Sequence, residues 1–398
     1  MAKKKSNDQN RLLITAIKKT VKVGTSLPIL ESVYFNGTQA IVSDLENSVI
    51  IPFEKPGLNI CIPSKKVIQI LEMMPDAEIT ALKDGFGANF THGKRIVKIT
   101  GDNPESFPII RMNDGKSYKR IGSLDEGDMG LLETAICFVS KYDLRPAMTG
   151  VKLEKRIIAT DAHRLFFHDL SEPVTSPFIL PAKAAKILLA FGGEWEITEE
   201  KSMEGYVCFT NSDGVKLITR PIDSRFPNVD VVIPQNEALV KLVANPKTLL
   251  TELKNAGQFA NKSTNQVVLG MNGVFSISSQ EVDFGEEYTS EYPNSNTGDF
   301  SFGFSKDYPK EYLLNGNPAV IKEDHGSIVK VFCDDKYDTV EKSSLEEQPD
   351  QLYIAFNQKF LSEIISKLGD EPAEMQFWSS TKCTIVNKHF LLMPLMLG

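Results

Sequence analysis

ICIPSKKVIQIL, residues 60–71, and FILPAKAAKILLAF, residues 178–191, share one pattern. An apolar run meets a proline and turns at once into a helical spacing of apolar positions. Proline ends a strand because it has no N–H to donate, and its fixed φ suits the start of a helix. Pro63 and Pro181 stand 118 residues apart. Other landmarks keep that step. AIVSD ends at Asp44, IIATD at Asp161 and FSISS at Ser279, steps of 117 and 118. The leucine pairs of RLLITAIKKTVK, GLLETAICFVSK and TLLTELKNAGQFANK begin at Leu12, Leu131 and Leu249, steps of 119 and 118. Phe107-Pro108 and Phe226-Pro227 are 119 apart. Four landmarks in one register predict a unit written three times.

Each unit opens with an amphipathic helix, continues through alternating strand-like runs, and passes from an apolar strand into a second helix. That order predicts an α+β fold, with three repeated domains of antiparallel sheet carrying two helices each. Polar or proline-bearing connections place the boundaries near 121 and 236, giving domains 1–121, 122–236 and 237–398. The third unit is longer. From Ser279 to Phe356 of LYIAFNQKFLSEIISKL is 77 residues, against 19 from Asp44 to Pro63. An insertion of about 57 residues, roughly 285–350, accounts for the excess. A competing register makes FGFSKDYPKEYLL the second helix; the later one runs straight to the C-terminus and is preferred.

Composition excludes several classes. With 398 residues, 41% hydrophobic and 24% charged, the chain can bury more than one core. No apolar run is long enough to span a membrane, and the basic start MAKKKSNDQN lacks the apolar stretch of a secretory signal. Lys3, Lys4 and Lys5 read as a frayed, solubilising end, and a cytoplasmic location is expected. Five scattered cysteines argue against a disulfide frame and a zinc site, and the five histidines have no metal spacing. GxGxxG, GxxxxGK[ST] and GxSxG are absent. No cofactor or metal is expected.

The charge is segregated. The net charge is −8, yet the six helix segments (11–22, 64–74, 129–142, 182–191, 247–262 and 357–368) hold 14 Lys and Arg against 4 Asp and Glu. Glutamate forms helices nearly as well as lysine, so propensity alone does not explain the bias. Helices gathered on one face would give an acidic protein one basic surface. Such a surface meets phosphates without reading bases, and its binding is salt-dependent.

ATDAHRLFF, residues 159–167, crowds Asp161, His163 and Arg164 together. Residues at i and i+2 on a strand share a face, so Asp161 and His163 could form an acid–base pair. No nucleophile, metal set or phosphate loop accompanies them, so no catalytic residue is assigned.

The triplication, LPIL at 27–30, ATDAHRL at 159–165, RFPNVDVVIP at 225–234 and LLMPLML at 391–397 together resemble the bacterial DNA polymerase III beta subunit, the beta sliding clamp family. The resemblance runs from about Leu12 to Leu397, apart from the insertion. It implies a DNA clamp fold that closes as a head-to-tail homodimeric ring around duplex DNA. Twelve helices spaced about 10 Å apart enclose a circle about 38 Å across. Helix bodies of about 10 Å leave a hole of about 28 Å. The implied function is processivity without catalysis, by a non-catalytic subunit of a DNA polymerase holoenzyme. The implied partners are double-stranded DNA bound without sequence specificity, the replicative polymerase, the clamp loader and other proteins with a clamp-binding motif. A monomeric clamp-like DNA-binding or decoy protein is the alternative.

Matching positions then imply roles. A partner-peptide cleft would use Met148, Thr160, Ala162, His163, Arg164, Leu165, Pro227, Val232, Asn357, Leu391, Leu392, Met393, Pro394 and Leu395. DNA would face Lys18, Lys19, Lys22, Lys65, Lys66, Lys141, Tyr142 and Lys183. The dimer interface would set Val97 and Ile99 against Phe259 and Ala260. The family usually has glycine where Ala162 stands, and often arginine where Gly24, Val231 and Met396 stand.

Overall fold

The computed structural model describes residues 2–82, 86–108, 118–142, 144–200 and 205–397. The first repeat runs α1 (Ala2–Thr20), β1 (Ser32–Asn36), β2 (Gln39–Ser43), β3 (Asn47–Pro52), β4 (Asn59–Pro63), α2 (Ser64–Met73), β5 (Glu78–Ala81), β6 (Gly87–His92) and β7 (Arg95–Thr100). The second runs β8 (Tyr118–Leu124), α3 (Glu126–Ala135), β9 (Gly150–Leu153), β10 (Arg156–Thr160), β11 (Arg164–Asp169), β12 (Phe178–Pro181), α4 (Ala182–Phe191), β13 (Trp195–Glu200), β14 (Val207–Asn211) and β15 (Lys216–Thr219). The third begins with β16 (Val240–Ala244), α5 (Pro246–Ala256), β17 (Gln266–Asn272), β18 (Val274–Glu281) and β19 (Glu286–Pro293). It continues through β20 (Phe300–Phe304), β21 (Tyr312–Leu314), β22 (Asn317–Asp324), β23 (Ile328–Cys333), β24 (Lys336–Glu341) and β25 (Leu345–Glu347). It ends with β26 (Leu352–Asn357), α6 (Gln358–Ser366), β27 (Ala373–Phe377), β28 (Thr384–Val386) and β29 (Phe390–Leu392).

The strand-to-helix junction recurs as the sequence pattern predicts. Pro63 and Pro181 are the extended N-caps of α2 and α4. In the third repeat Asn357 takes that place, and its side chain accepts from the backbone N–H groups of Lys359 and Phe360. The acceptor satisfies donors that the first turn of a helix leaves open. The competing segment 302–314 ends β20 and forms β21, not a helix.

The chain divides into two compact units. One holds residues 1–162 and 166–227; the other holds 163–165 and 228–398. In the first unit, repeats one and two build a continuous eight-stranded sheet, β4-β1-β2-β3-β15-β14-β13-β8. Its seam is the antiparallel pair β3–β15, with Val49 opposite Leu217. The order β12-β9-β10-β11 and the small sheet β5-β6-β7 complete this unit. Helix α1 buries Leu13, Ala16 and Ile17. It packs on α2 and α4, and α3 packs on α4. The helices therefore lie in the row α2-α1-α4-α3.

The second unit holds the four-stranded sheet β19-β18-β17-β26 and the strands β29-β28-β27-β16-β20, with α5 packed on α6. The added sheet β24-β23-β22-β21-β25 has its own small core of Leu314, Ala319, Val329, Val331 and Cys333.

Three details differ from the sequence reading. Helix α1 starts at Ala2, so Lys3, Lys4 and Lys5 are helical in backbone. The boundary near 121 falls inside β8, which pairs with β13 of the second repeat. Strand β19 lies within 285–350 yet pairs along its length with β18, so the separate sheet occupies Tyr312–Glu347.

Candidate functional sites

The helix row of the first unit carries its apolar stripes inward and its lysines outward. Lys18 and Lys19 of α1, Lys22 just beyond it, Lys65 and Lys66 of α2, and Lys141 and Tyr142 beyond α3 are all exposed. Tyr142 is 77% exposed, which is unusual for an aromatic side chain. Lys183 does not join them as a simple surface cation. Its Nζ lies 2.5 Å from Asp44 Oδ2 and donates to the Thr20 carbonyl at 2.9 Å. Asp44 is nearly buried and also accepts from the backbone N–H groups of Glu46 and Asn47. Lys183 thus satisfies a carbonyl at the C-terminal end of α1 and ties two repeats together. Lys18 reaches Glu72 at 2.7 Å, but both side chains are half exposed, where such a pair is weak. Lys186, one turn beyond Lys183, is exposed and was not singled out by the sequence match. Gly24, where the family often has arginine, has φ 78° and donates to Glu31 Oε1 at 2.8 Å. On the second unit, Lys247, Lys254 and Lys262 of the α5 segment and Lys359 and Lys367 of the α6 segment are exposed.

The residues nominated for a partner cleft fall on both units. On the second, the ATDAHRL segment supplies His163, Arg164 and Leu165. The His163 ring stacks on Phe360 of α6 at 5.9 Å. Arg164 is buried beneath it, over the same ring and against Glu363. Met393 donates its N–H to the His163 carbonyl at 2.9 Å, and Leu395 donates to the Ala355 carbonyl at 2.8 Å. The C-terminal segment is therefore pinned at alternate residues. Met393 is exposed and Pro394 and Leu395 are half-buried, while Met396 is 78% exposed. Val232 is also exposed, and Pro227 on the first unit is half-buried. Leu391 and Leu392 are core residues of β29, with 2% and 0% exposure, so neither side chain is open to a peptide. Asn357 serves as the α6 cap, and its Nδ2 donates to the Thr264 carbonyl at 2.8 Å. Leu165 is buried as well.

On the first unit, Met148 and Thr160 are buried, and Thr160 Oγ1 accepts from the Ala162 N–H at 3.1 Å. Ala162 has φ 76°, and Leu45, its counterpart after Asp44 in the first repeat, has the same φ. The chain makes one left-handed turn after the acidic landmark in both repeats. Only glycine adopts that region without steric cost. The third repeat has no such turn, because β18 runs on through Ser279 to Glu281.

Each unit also ends in an outermost strand. On the first, β7 is the last strand of its sheet, with Val97 and Ile99 half-buried and Arg95 and Lys98 exposed. On the second, β19 is last, with Glu286, Glu287 and Glu291 exposed. Phe259 stacks on Tyr288 of β19 at 5.8 Å, and Ala260 is buried. The buried Glu252 of α5 accepts from the Tyr288 hydroxyl. Burial pushes the Glu252 carboxyl up, but the hydrogen bond from Tyr288, with the neighbouring Ser290 and Tyr292 hydroxyls, outweighs it and holds it below the usual range. Burial, and then Glu252, push Tyr292 up to about 12. Sequence reading missed Phe360, Glu363, Glu252 and Tyr288. For the α6 pair a signal existed, since i and i+3 share a helix face.

Among the described residues, no group of three His, Cys, Asp or Glu side chains is arranged for a metal, and no helix is long and apolar enough to cross a membrane.

No family model matches the chain. A beta sliding clamp of Staphylococcus epidermidis is 21% identical over 276 residues, covering 63% of this chain and 72% of its own length. A DNA polymerase III beta subunit from Thermotoga maritima superposes with a TM-score of 0.72 at 20% identity, covering 99% of this chain and 98% of its own. The sliding clamp of Pseudomonas aeruginosa bound to griselimycin superposes with a TM-score of 0.71 at 17% identity, with the same coverage. A putative beta subunit from Eubacterium rectale, 14% identical, gives 0.72. The resemblance read from the sequence is thus found again in a curated relative and in solved structures, and the fold is the clamp fold along nearly the whole chain.

Proposed function

We propose that this chain is a DNA sliding clamp, a non-catalytic processivity factor that encircles duplex DNA as a head-to-tail homodimer. The observation that carries the reading is the row α2-α1-α4-α3 with its outward lysines, set in a clamp fold of net charge −8. A basic helix face on an acidic protein suits loose contact with phosphates and movement along them. Topology, not affinity, then keeps the protein on DNA.

Closure draws support from the outermost strands. An exposed strand edge invites uncontrolled pairing unless it is covered. Strand β7 is basic and β19 acidic, so β7 of one copy complements β19 of another. Val97 and Ile99 would meet Phe259 beside Tyr288. A head-to-tail contact that closes makes a ring and leaves neither edge open. Partner proteins, among them the replicative polymerase and the clamp loader, dock through short peptides on the surface that includes His163, Met393, Pro394 and Val232. The setting is cytoplasmic replication.

Retention on DNA tests the reading. Loaded onto a nicked circle, the protein should remain through a high-salt wash and leave within seconds of linearisation. Blocking both ends should restore its lifetime. Equal lifetimes on open and blocked linear DNA count against threading.

A further inference from the structure

We propose that the tip of the β18–β19 hairpin is an apolar latch that seats on Phe86 of a second copy of this chain. The inference rests on the clamp reading and adds one apolar contact to the ring joint.

The tip carries Val282 and Phe284, which are 74% and 73% exposed. They project from a turn that holds Asp283 and is followed by the exposed Glu286 and Glu287 of β19. Single exposed apolar residues are ordinary, but two within three positions at the end of an outermost strand call for a cover. Strand pairing in both units is antiparallel, as in β6–β7 and β18–β19. An antiparallel joint between β7 and β19 brings the N-terminal end of β19 to the C-terminal end of β7. Just past that end stands Gly101, whose N–H donates to the Phe86 carbonyl at 2.9 Å. Phe86 is itself 44% exposed. The exposed aromatic tip of one copy and an exposed aromatic ring of the other therefore arrive at the same end. At the opposite end, Glu291 meets Lys94 and Arg95. A parallel joint would reverse this and set Phe284 among the cations. The meeting of Val282 and Phe284 with Phe86 selects the antiparallel arrangement; β19 carries exposed carboxylates at both ends, so charge alone does not decide it.

The test uses the full chain. Light scattering at micromolar concentration should give a dimer. Val282→Ser with Phe284→Ala, changes confined to an exposed turn, should raise the dimer dissociation constant about tenfold or more, with the thermal midpoint of the separated chains unmoved. Phe86→Cys combined with Phe284→Cys should yield a covalent dimer on oxidation, and Lys94→Cys combined with Phe284→Cys should not. A dimer that keeps its affinity in the first variant and does not cross-link in the second overturns the latch and leaves the ring standing. Cross-linking through position 94 instead overturns the direction. A monomer in the unmodified protein overturns ring and latch together.

Discussion

The Arg164 guanidinium carbon lies 4.4 Å from the centre of the Phe360 ring, and its Nη1 lies 2.5 Å from Glu363 Oε2. The arginine of the ATDAHRL motif is thus turned inward and held by α6, with 7% of its side chain exposed. His163, next to it, covers the same ring. The motif that looks most like chemistry is a clasp between a short segment and a helix.

Replacing Arg164 with alanine should lower stability by about 1–3 kcal/mol, because a buried cation–π contact and a charge-assisted hydrogen bond go together. Lysine should recover only part of the loss, since it cannot lie flat on the ring and reach Glu363 at once. Thermal unfolding of the three proteins checks the order.

The two classes of lysine should separate. Lys65→Ala with Lys66→Ala removes exposed cations and should reduce the salt dependence of DNA binding by about two in slope, leaving the thermal midpoint nearly unchanged. Lys183→Ala removes the bonds to Asp44 and Thr20 and should lower the midpoint. A Lys183 variant with full stability and weakened DNA binding would show that its contact with Asp44 is incidental.

The contrast shows which parts of the molecule the sequence makes legible. Repeat length, helix positions and the strand-to-proline junction follow from local chemistry at Pro63 and Pro181. The continuous apolar run of the C-terminal segment is legible too, but not which of its residues are core. Leu391 and Leu392 sit in β29 and Met393 does not, a distinction set by where the last strand pair ends. Lys65 and Lys183 look alike in sequence. Only the fold brings Asp44, 139 residues away, to one of them. The third-repeat insertion hid a similar point. Alternation in EEYTSEYP cannot say whether the strand pairs with β18 or starts the added sheet.

Ala162→Gly should stabilise the protein by about 0.5–1 kcal/mol. A left-handed φ costs an L-residue about 1–2 kcal/mol, and the extra freedom of glycine in the unfolded chain returns part of that. Ala162→Val should do the reverse. Denaturant midpoints decide the sign, and no gain on glycine would mean that the turn is held for another reason.

Alkaline pH should loosen the β19 edge. Tyr292 holds its proton up to about 12, against an ordinary value of 10.0, because of burial and then the nearby Glu252 carboxylate. A group whose folded value is raised gives stability that is full below the ordinary value and is lost as pH climbs toward the raised one. Stability should therefore fall between about pH 10 and 12. Tyr292→Phe should flatten that part of the profile while other tyrosines keep theirs. A fall of equal depth in the phenylalanine variant would place the sensitive group elsewhere.

Met393 and Pro394 offer the sharpest test of partner docking. They follow the buried end of β29, and the Met393 N–H is tied to the His163 carbonyl, so the backbone is fixed while the Met393 side chain stays exposed. Methionine adapts its shape to varied apolar anchors, which suits a surface that serves several partners. Changing both residues to alanine leaves the core leucines and the pinned backbone in place. Peptide binding measured by fluorescence anisotropy should weaken at least about tenfold. The dimer and the salt-dependent hold on DNA should persist, because neither uses these side chains. Loss of the dimer in the same variant would tie the C-terminal segment to ring closure instead, and unchanged peptide affinity would move the docking surface away from it.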